Sequence, residues 1–106
     1  MNNYSDFCGI KKQIKMDLQE LINSDKVSIV DVRTPMEFTE GHVNGSINIP
    51  LNDVVERVEE LRGMQPLVLC CASGGRSGQA TDYLQVQGFE EVYNGGGWTN
   101  VNAQKL

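Results

Sequence analysis

The stretch CCASGGRSG, Cys70 to Gly78, sets two adjacent cysteines against a run of small residues and a single arginine. After Cys71 come Ala72, Ser73, Gly74 and Gly75, none with a side chain large enough to fill the centre of a loop. Two glycines let the backbone turn sharply and aim its N–H groups inward. Arg76 adds a fixed positive charge, and a helical pattern begins at Ser77. A helix N-terminus carries partial positive charge. Amides, arginine and helix end together would lower the pKa of the Cys71 thiol and hold an anion beside it. That is the chemistry of an activated sulfur nucleophile. The bland alternative is a strand-to-helix turn that happens to start with cysteine.

The spacing narrows the chemistry. Four residues separate Cys71 from Arg76, whereas cysteine phosphatases place one more between theirs to wrap a tetrahedral phosphoryl group. The tighter ring suits one extra sulfur atom on the cysteine, a persulfide, whose outer sulfur carries the charge. Cys70 precedes Cys71 on a strand, so the two side chains should point to opposite faces. Cys70 then reads as a small buried hydrophobe, and a disulfide between the two neighbours would be strained.

Stepping outward, the 106 residues are one domain's worth, 40% hydrophobic and 22% charged. A net charge of -5 argues against a nucleic-acid binder, which would show a basic face, and against docking on anionic lipid. No apolar run approaches the roughly 18 residues of a membrane span. The N-terminal MNNYSDFCGIKKQIKMD has no apolar h-region, which reads as a cytoplasmic protein. Three cysteines in such a chain point to a reactive thiol rather than a disulfide framework.

The elements that must position Cys71 are legible as alternating patterns. Residues 1–9 read as a mobile lead-in and 10–106 as one domain. Strands are expected at Val27–Val32, Ser46–Pro50, Pro66–Cys71 and Glu90–Asn94, with a fifth around Lys12–Lys15. Helices fill the gaps: one after Asp17, one starting at Thr34-Pro35 with Glu37 completing a capping box, one from an Asn52 cap to Gly63, and one from Ser77 to Gly88. Successive strand–helix–strand units imply a parallel sheet with helices packed on it. Ligands sit at the carboxyl ends of strands in such sheets, where CCASGGRSG falls. The run Asn94–Gly97, NGGG, lacks the Gly-Lys-Ser/Thr ending of a phosphate loop and reads as a tight turn.

From about Ile14 to Trp98 the chain resembles a single-domain rhodanese, a sulfurtransferase. DVRTPMEFTEGHVNGSINIP (Asp31–Pro50), CASGGRS (Cys71–Ser77) and GFEEVYNGGGW (Gly88–Trp98) carry the resemblance. It implies an α/β fold, a five-stranded parallel sheet with helices on both faces. It also implies Cys71 as nucleophile, with Ala72, Ser73, Gly74, Gly75, Arg76 and Ser77 holding the substrate. Asp31 and Arg33 match the family's Asp-x-Arg and are expected to brace the site, with a substrate contact as the other reading. Ala72 stands where many members carry a charged or larger polar residue, which puts thiosulfate preference in question. Cys70 replaces a frequent aromatic, and Asn44 and Ser46 replace the usual proline and alanine.

The implied activity is double displacement: Cys71 takes a sulfane sulfur from thiosulfate or a persulfide and passes it to cyanide, a thiol or a sulfur-carrier protein. No cofactor and no metal are implied. The lone histidine, His42, is a poor ligand set and reads as structural. Trp98 would pack the core or rim the site, and Cys8 would be a bystander. Two rivals stay open: a non-catalytic rhodanese-like carrier or interaction module, and a cysteine phosphatase or arsenate reductase.

Overall fold

A computed structural model describes residues 17–106. The lead-in, Cys8 and the expected strand at Lys12–Lys15 lie outside the described residues. Four strands are seen: β1 Ser28–Asp31, β2 Ile47–Asn48, β3 Leu67–Cys71 and β4 Val92–Gly97. They form one sheet in the order β2-β1-β3-β4, every pairing parallel. Helices α1 (Leu18–Ile22), α2 (Pro35–Glu40), α3 (Val58–Arg62), α4 (Gly75–Val86) and α5 (Trp98–Gln104) connect or follow them.

Strand alternation divides the core in two. On one face Val30, Leu67, Leu69 and Cys71 pack with Leu61 of α3 and with Ala80 and Leu84 of α4. On the other, Ile29, Val68 and Cys70 pack with Ile22 of α1 and Val101 of α5. The period of two in β3 places the two cysteines on opposite sides of the sheet. β3 is buried along its whole length, as a central parallel strand must be.

Two helix starts match their sequence signals. Asp17 accepts from Glu20 N while Glu20 reaches back to Asp17 N, a reciprocal cap on α1. Thr34 and Glu37 make the same pair on α2, with Pro35 in the first turn. Satisfying these N–H groups lets helices of five or six residues start at defined points.

Three expectations are corrected. The helix expected from Asn52 to Gly63 is a 3-10 turn at Leu51–Asp53 followed by the short α3, and no side chain caps the turn. Pro50 C=O accepts from Asp53 N at 2.8 Å, closing a tight turn first. The adjacent β-branched Val54 and Val55 favour α-helix poorly. Helix α4 begins at Gly75 rather than Ser77, so Gly75 and Arg76 already lie in its first turn. Asn94–Gly97 is no tight turn but the last four residues of β4, with a register shift between Leu69 and Cys70 of β3 that leaves Gly95 as the extra residue. Its glycines serve close approach: a Cβ at Gly95 would lie 2.8 Å from Val101 and Val68, and one at Gly97 would lie 2.9 Å from the Ala72 carbonyl.

Gly95→Ala should therefore destabilise the fold by about 1–3 kcal/mol, as overpacking does. Gly63→Ala, where the nearest atom is 3.7 Å away, should be neutral to stabilising. Urea titration of both variants checks the contrast; equal midpoints would remove the packing argument for β4.

Candidate active site

Cys71 ends β3, and the chain then turns through Ala72–Gly74 into α4. The turn needs Gly74 at φ 103, a left-handed conformation that costs a residue with a Cβ. A Cβ there would also press on Gly96 at 3.3 Å. The turn folds the chain back over the sulfur. Gly74 N–H donates to Cys71 Sγ at 3.0 Å, Ser77 N–H at 3.3 Å and the Ser77 hydroxyl at 3.4 Å.

Cys71 is only 1% exposed. Burial, the largest single influence, pushes its thiol pKa up. The Ser77 hydroxyl and the amides of Ser77, Ser73 and Gly74 together outweigh that, and the thiol lies below its ordinary value. Donors aimed at a sulfur in a water-poor site favour the thiolate. Among the described residues Cys70 has no such donors: burial, assisted by the Asp31 carboxylate, pushes its thiol up to about 12. One backbone step separates an ionisable thiol from an inert one.

Arg76 has a partner that the sequence does not show. Its guanidinium forms a two-pronged pair with the Glu37 carboxylate, at 2.9 and 3.1 Å. Glu37 was legible only as the cap of α2. Here it also accepts from Thr34 N and Oγ1. Arg76 first, then the Thr34 amide, lowers the Glu37 pKa to about 2. Both partners are about one-third exposed, so the charge of the loop's one arginine is largely balanced within the protein.

Asn94 is a second residue that sequence reasoning missed, because NGGG read as a turn. Its Oδ1 accepts from the Ser77 hydroxyl at 2.7 Å and from Gly96 N–H at 2.9 Å, and its Nδ2 donates to the Gly74 carbonyl at 3.2 Å. It ties Gly74, in the loop, and Ser77, in the first turn of α4, to β4. The buried Ser77 thus has one hydroxyl proton and two acceptors, Cys71 Sγ and Asn94 Oδ1. Of the remaining loop residues, Ala72, Ser73 and Gly75 are exposed and Gly74 is half-buried.

Asp31 and Arg33 are both buried and pair at 2.7 Å. Arg33 Nε also donates to the same carboxylate at 2.9 and 3.0 Å, and its NH2 to the Gly41 carbonyl at 2.6 Å. The guanidinium lies 4.9 Å from the centre of the Trp98 ring. The pair therefore joins the end of β1, the end of α2 and the start of α5, and neither member hydrogen-bonds Cys71. His42 is exposed, stacks on Phe38 at 3.8 Å and, from just beyond the end of α2, hydrogen-bonds back to that helix at Phe38 C=O. Among the described residues no group of three or more His, Cys, Asp or Glu could hold a metal ion. No helix among them is long and apolar enough to cross a membrane.

A parallel sheet wrapped by helices on both faces, with a cysteine at the carboxyl end of its central strand inside a ring of hydrogen-bond donors, defines an α/β protein with a thiolate-stabilising loop. The sequence pattern of the rhodanese-like domain matches residues 15–104, and the chain belongs to that family. It is 42% identical to the uncharacterized protein YqhL of Bacillus subtilis (strain 168) over 69 residues, 65% of this chain and 55% of that protein. It thus spans little more than half of that relative's length. It is 35% identical to the thiosulfate sulfurtransferase PspE of Escherichia coli (strain K12) over 79 residues, 73% of this chain and 76% of the relative. Among solved structures, "rhodanese with anions from E. coli" superposes with a TM-score of 0.64 at 35% identity, covering 70% of this chain and 89% of that one.

Two measurements check the site. The pH profile of Cys71 alkylation by iodoacetamide should show a midpoint below that of free cysteine, and Ser77→Ala should move it up, because both a donor and the Asn94 tether are lost. A midpoint that stays put in the variant would refute the hydroxyl's role. Asp31→Asn should lower stability by about 3–5 kcal/mol, since it leaves a buried guanidinium without its counter-charge; the urea midpoint reads it.

Proposed function

We propose that this chain is a sulfurtransferase that carries a sulfane sulfur on Cys71. The observation that supports it most is the set of three donors converging on a buried Cys71 Sγ. The names of relatives such as PspE support the same activity. In the loading step the Cys71 thiolate attacks the outer sulfur of a donor such as thiosulfate. A new S–S bond forms to Cys71, the donor's S–S bond breaks, and sulfite leaves with the electron pair. The outer sulfur then bears the negative charge, and the ring amides of residues 72–76 stabilise it. In the second step a thiophile takes that sulfur: cyanide, a thiol or a sulfur-carrier protein. No general base is needed when the thiol is already ionised, and neither step calls for a metal or an organic cofactor. A reducing compartment such as the cytoplasm would keep the Cys71 thiol available.

Mass spectrometry tests the reading. Incubation with thiosulfate should add one sulfur, removable by cyanide or dithiothreitol. Cys71→Ser should abolish the addition and Cys70→Ser should retain it. A wild-type protein that gains no sulfur from thiosulfate or from any persulfide donor would overturn the proposal.

A further inference from the structure

Beside the loop lies a groove of about 550 Å³, walled mainly by apolar side chains such as Val32, Leu51, Val54, Val55 and Tyr83, with Thr34, Asn52 and Gln79 as neutral polar members and Arg76 the only charged one among the described residues. Val32 directly follows β1 and shares a buried cluster with Cys71, and Arg76 belongs to the loop itself. The groove therefore borders the sulfur-binding loop on its Arg76 side, at the carboxyl end of the sheet. Its volume falls within the range of small-molecule sites, roughly 300–1,000 Å³. Val55 is left 61% exposed on its wall, apolar surface that a ligand could cover.

Charge decides what kind of ligand. Arg76 is the sole cation on the wall, and Glu37 already holds it with two hydrogen bonds. A dianion entering here would meet a balanced pair and several aliphatic side chains. An uncharged apolar group would meet surface that gains free energy on leaving water.

We propose that the groove seats the organic substituent of the sulfur acceptor, a low-molecular-weight thiol with an uncharged aliphatic or aromatic group. The inference rests on the sulfurtransferase reading and names the acceptor class for it. The acceptor thiolate attacks the outer sulfur of the Cys71 persulfide. The acceptor gains an S–S bond, the bond to Cys71 breaks, and its electron pair returns to Cys71 Sγ. The acceptor leaves as an organic persulfide anion, so charge is conserved and no oxidant is required.

The experiment uses protein preloaded with sulfur by thiosulfate and follows its discharge by n-alkanethiols from ethanethiol to hexanethiol. Thiol acidity barely changes along that series, so the chain-length dependence reads the groove. The discharge rate constant kcat/KM should rise up to about fourfold per added methylene until the groove is filled, and 2-mercaptoethanesulfonate, with its anionic tail, should lie below propanethiol. Val55→Asn, at an exposed position, should flatten the slope. A chain-length profile flat in the wild type, on protein that loads normally, would overturn the acceptor assignment while leaving the sulfurtransferase reading intact. A slope unaltered by Val55→Asn would place the apolar contact outside this groove and overturn it as well. Failure to load from any donor would instead remove the sulfurtransferase reading and this inference with it.

Discussion

The rest of the molecule depends on a contest at one sulfur atom. Taking Cys71 out of water opposes ionisation, and a buried thiol would ordinarily stay protonated. Hydrogen-bond donors from the turn and from the first residues of α4 reverse that outcome. They do so only while the backbone keeps its direction, which needs a left-handed Gly74, a buried Ser77 and the close passage of β4. Cys70 supplies the internal comparison: deeper burial, the Asp31 carboxylate and the lack of such donors leave a thiol pushed far up. Solvent exposure, near zero for both, does not separate the two cysteines; depth of burial and the direction of a few N–H and O–H bonds do.

The supporting shell is built from polar side chains that each link distant segments. Asn94 joins β4 to Gly74 of the loop and to Ser77 of α4, and Arg33 joins β1 to the carbonyl at the end of α2 and to the Trp98 ring. Glu37 couples the cap of α2 to the first turn of α4. Each is a multiply satisfied group, the condition under which buried or half-buried polar atoms rigidify a structure rather than weaken it. The parallel sheet holds these links in register, because β1, β3 and β4 all end at the same edge.

Much of this was legible in the residues themselves. Strand alternation alone put Cys70 and Cys71 on opposite faces, and the Thr34–Glu37 spacing fixed the start of α2. Small residues after Cys71 announced a backbone cradle. What could not be read was the partner of a long side chain. Arg76 lies 39 residues from Glu37, and nothing local reveals that its charge is already matched. The glycine run at 95–97 was misread for a related reason. Glycine signals a turn when judged locally, but here it marks closeness to Val68, Val101 and Ala72, neighbours supplied by the tertiary fold. The 3-10 turn at Leu51–Asp53 shows the opposite failure, where an apolar helical spacing outvoted the poor helix preference of paired valines.

The opposed orientation of the adjacent cysteines also bears on storage. Many redox-active thiols are relieved by a nearby second thiol that attacks and closes a ring. Cys70 faces the far side of the sheet and holds its proton tightly, so it cannot play that resolving part for its neighbour. On the proposed sulfurtransferase reading, a sulfur held on Cys71 would therefore have no exit through Cys70 and would wait for an acceptor to reach it.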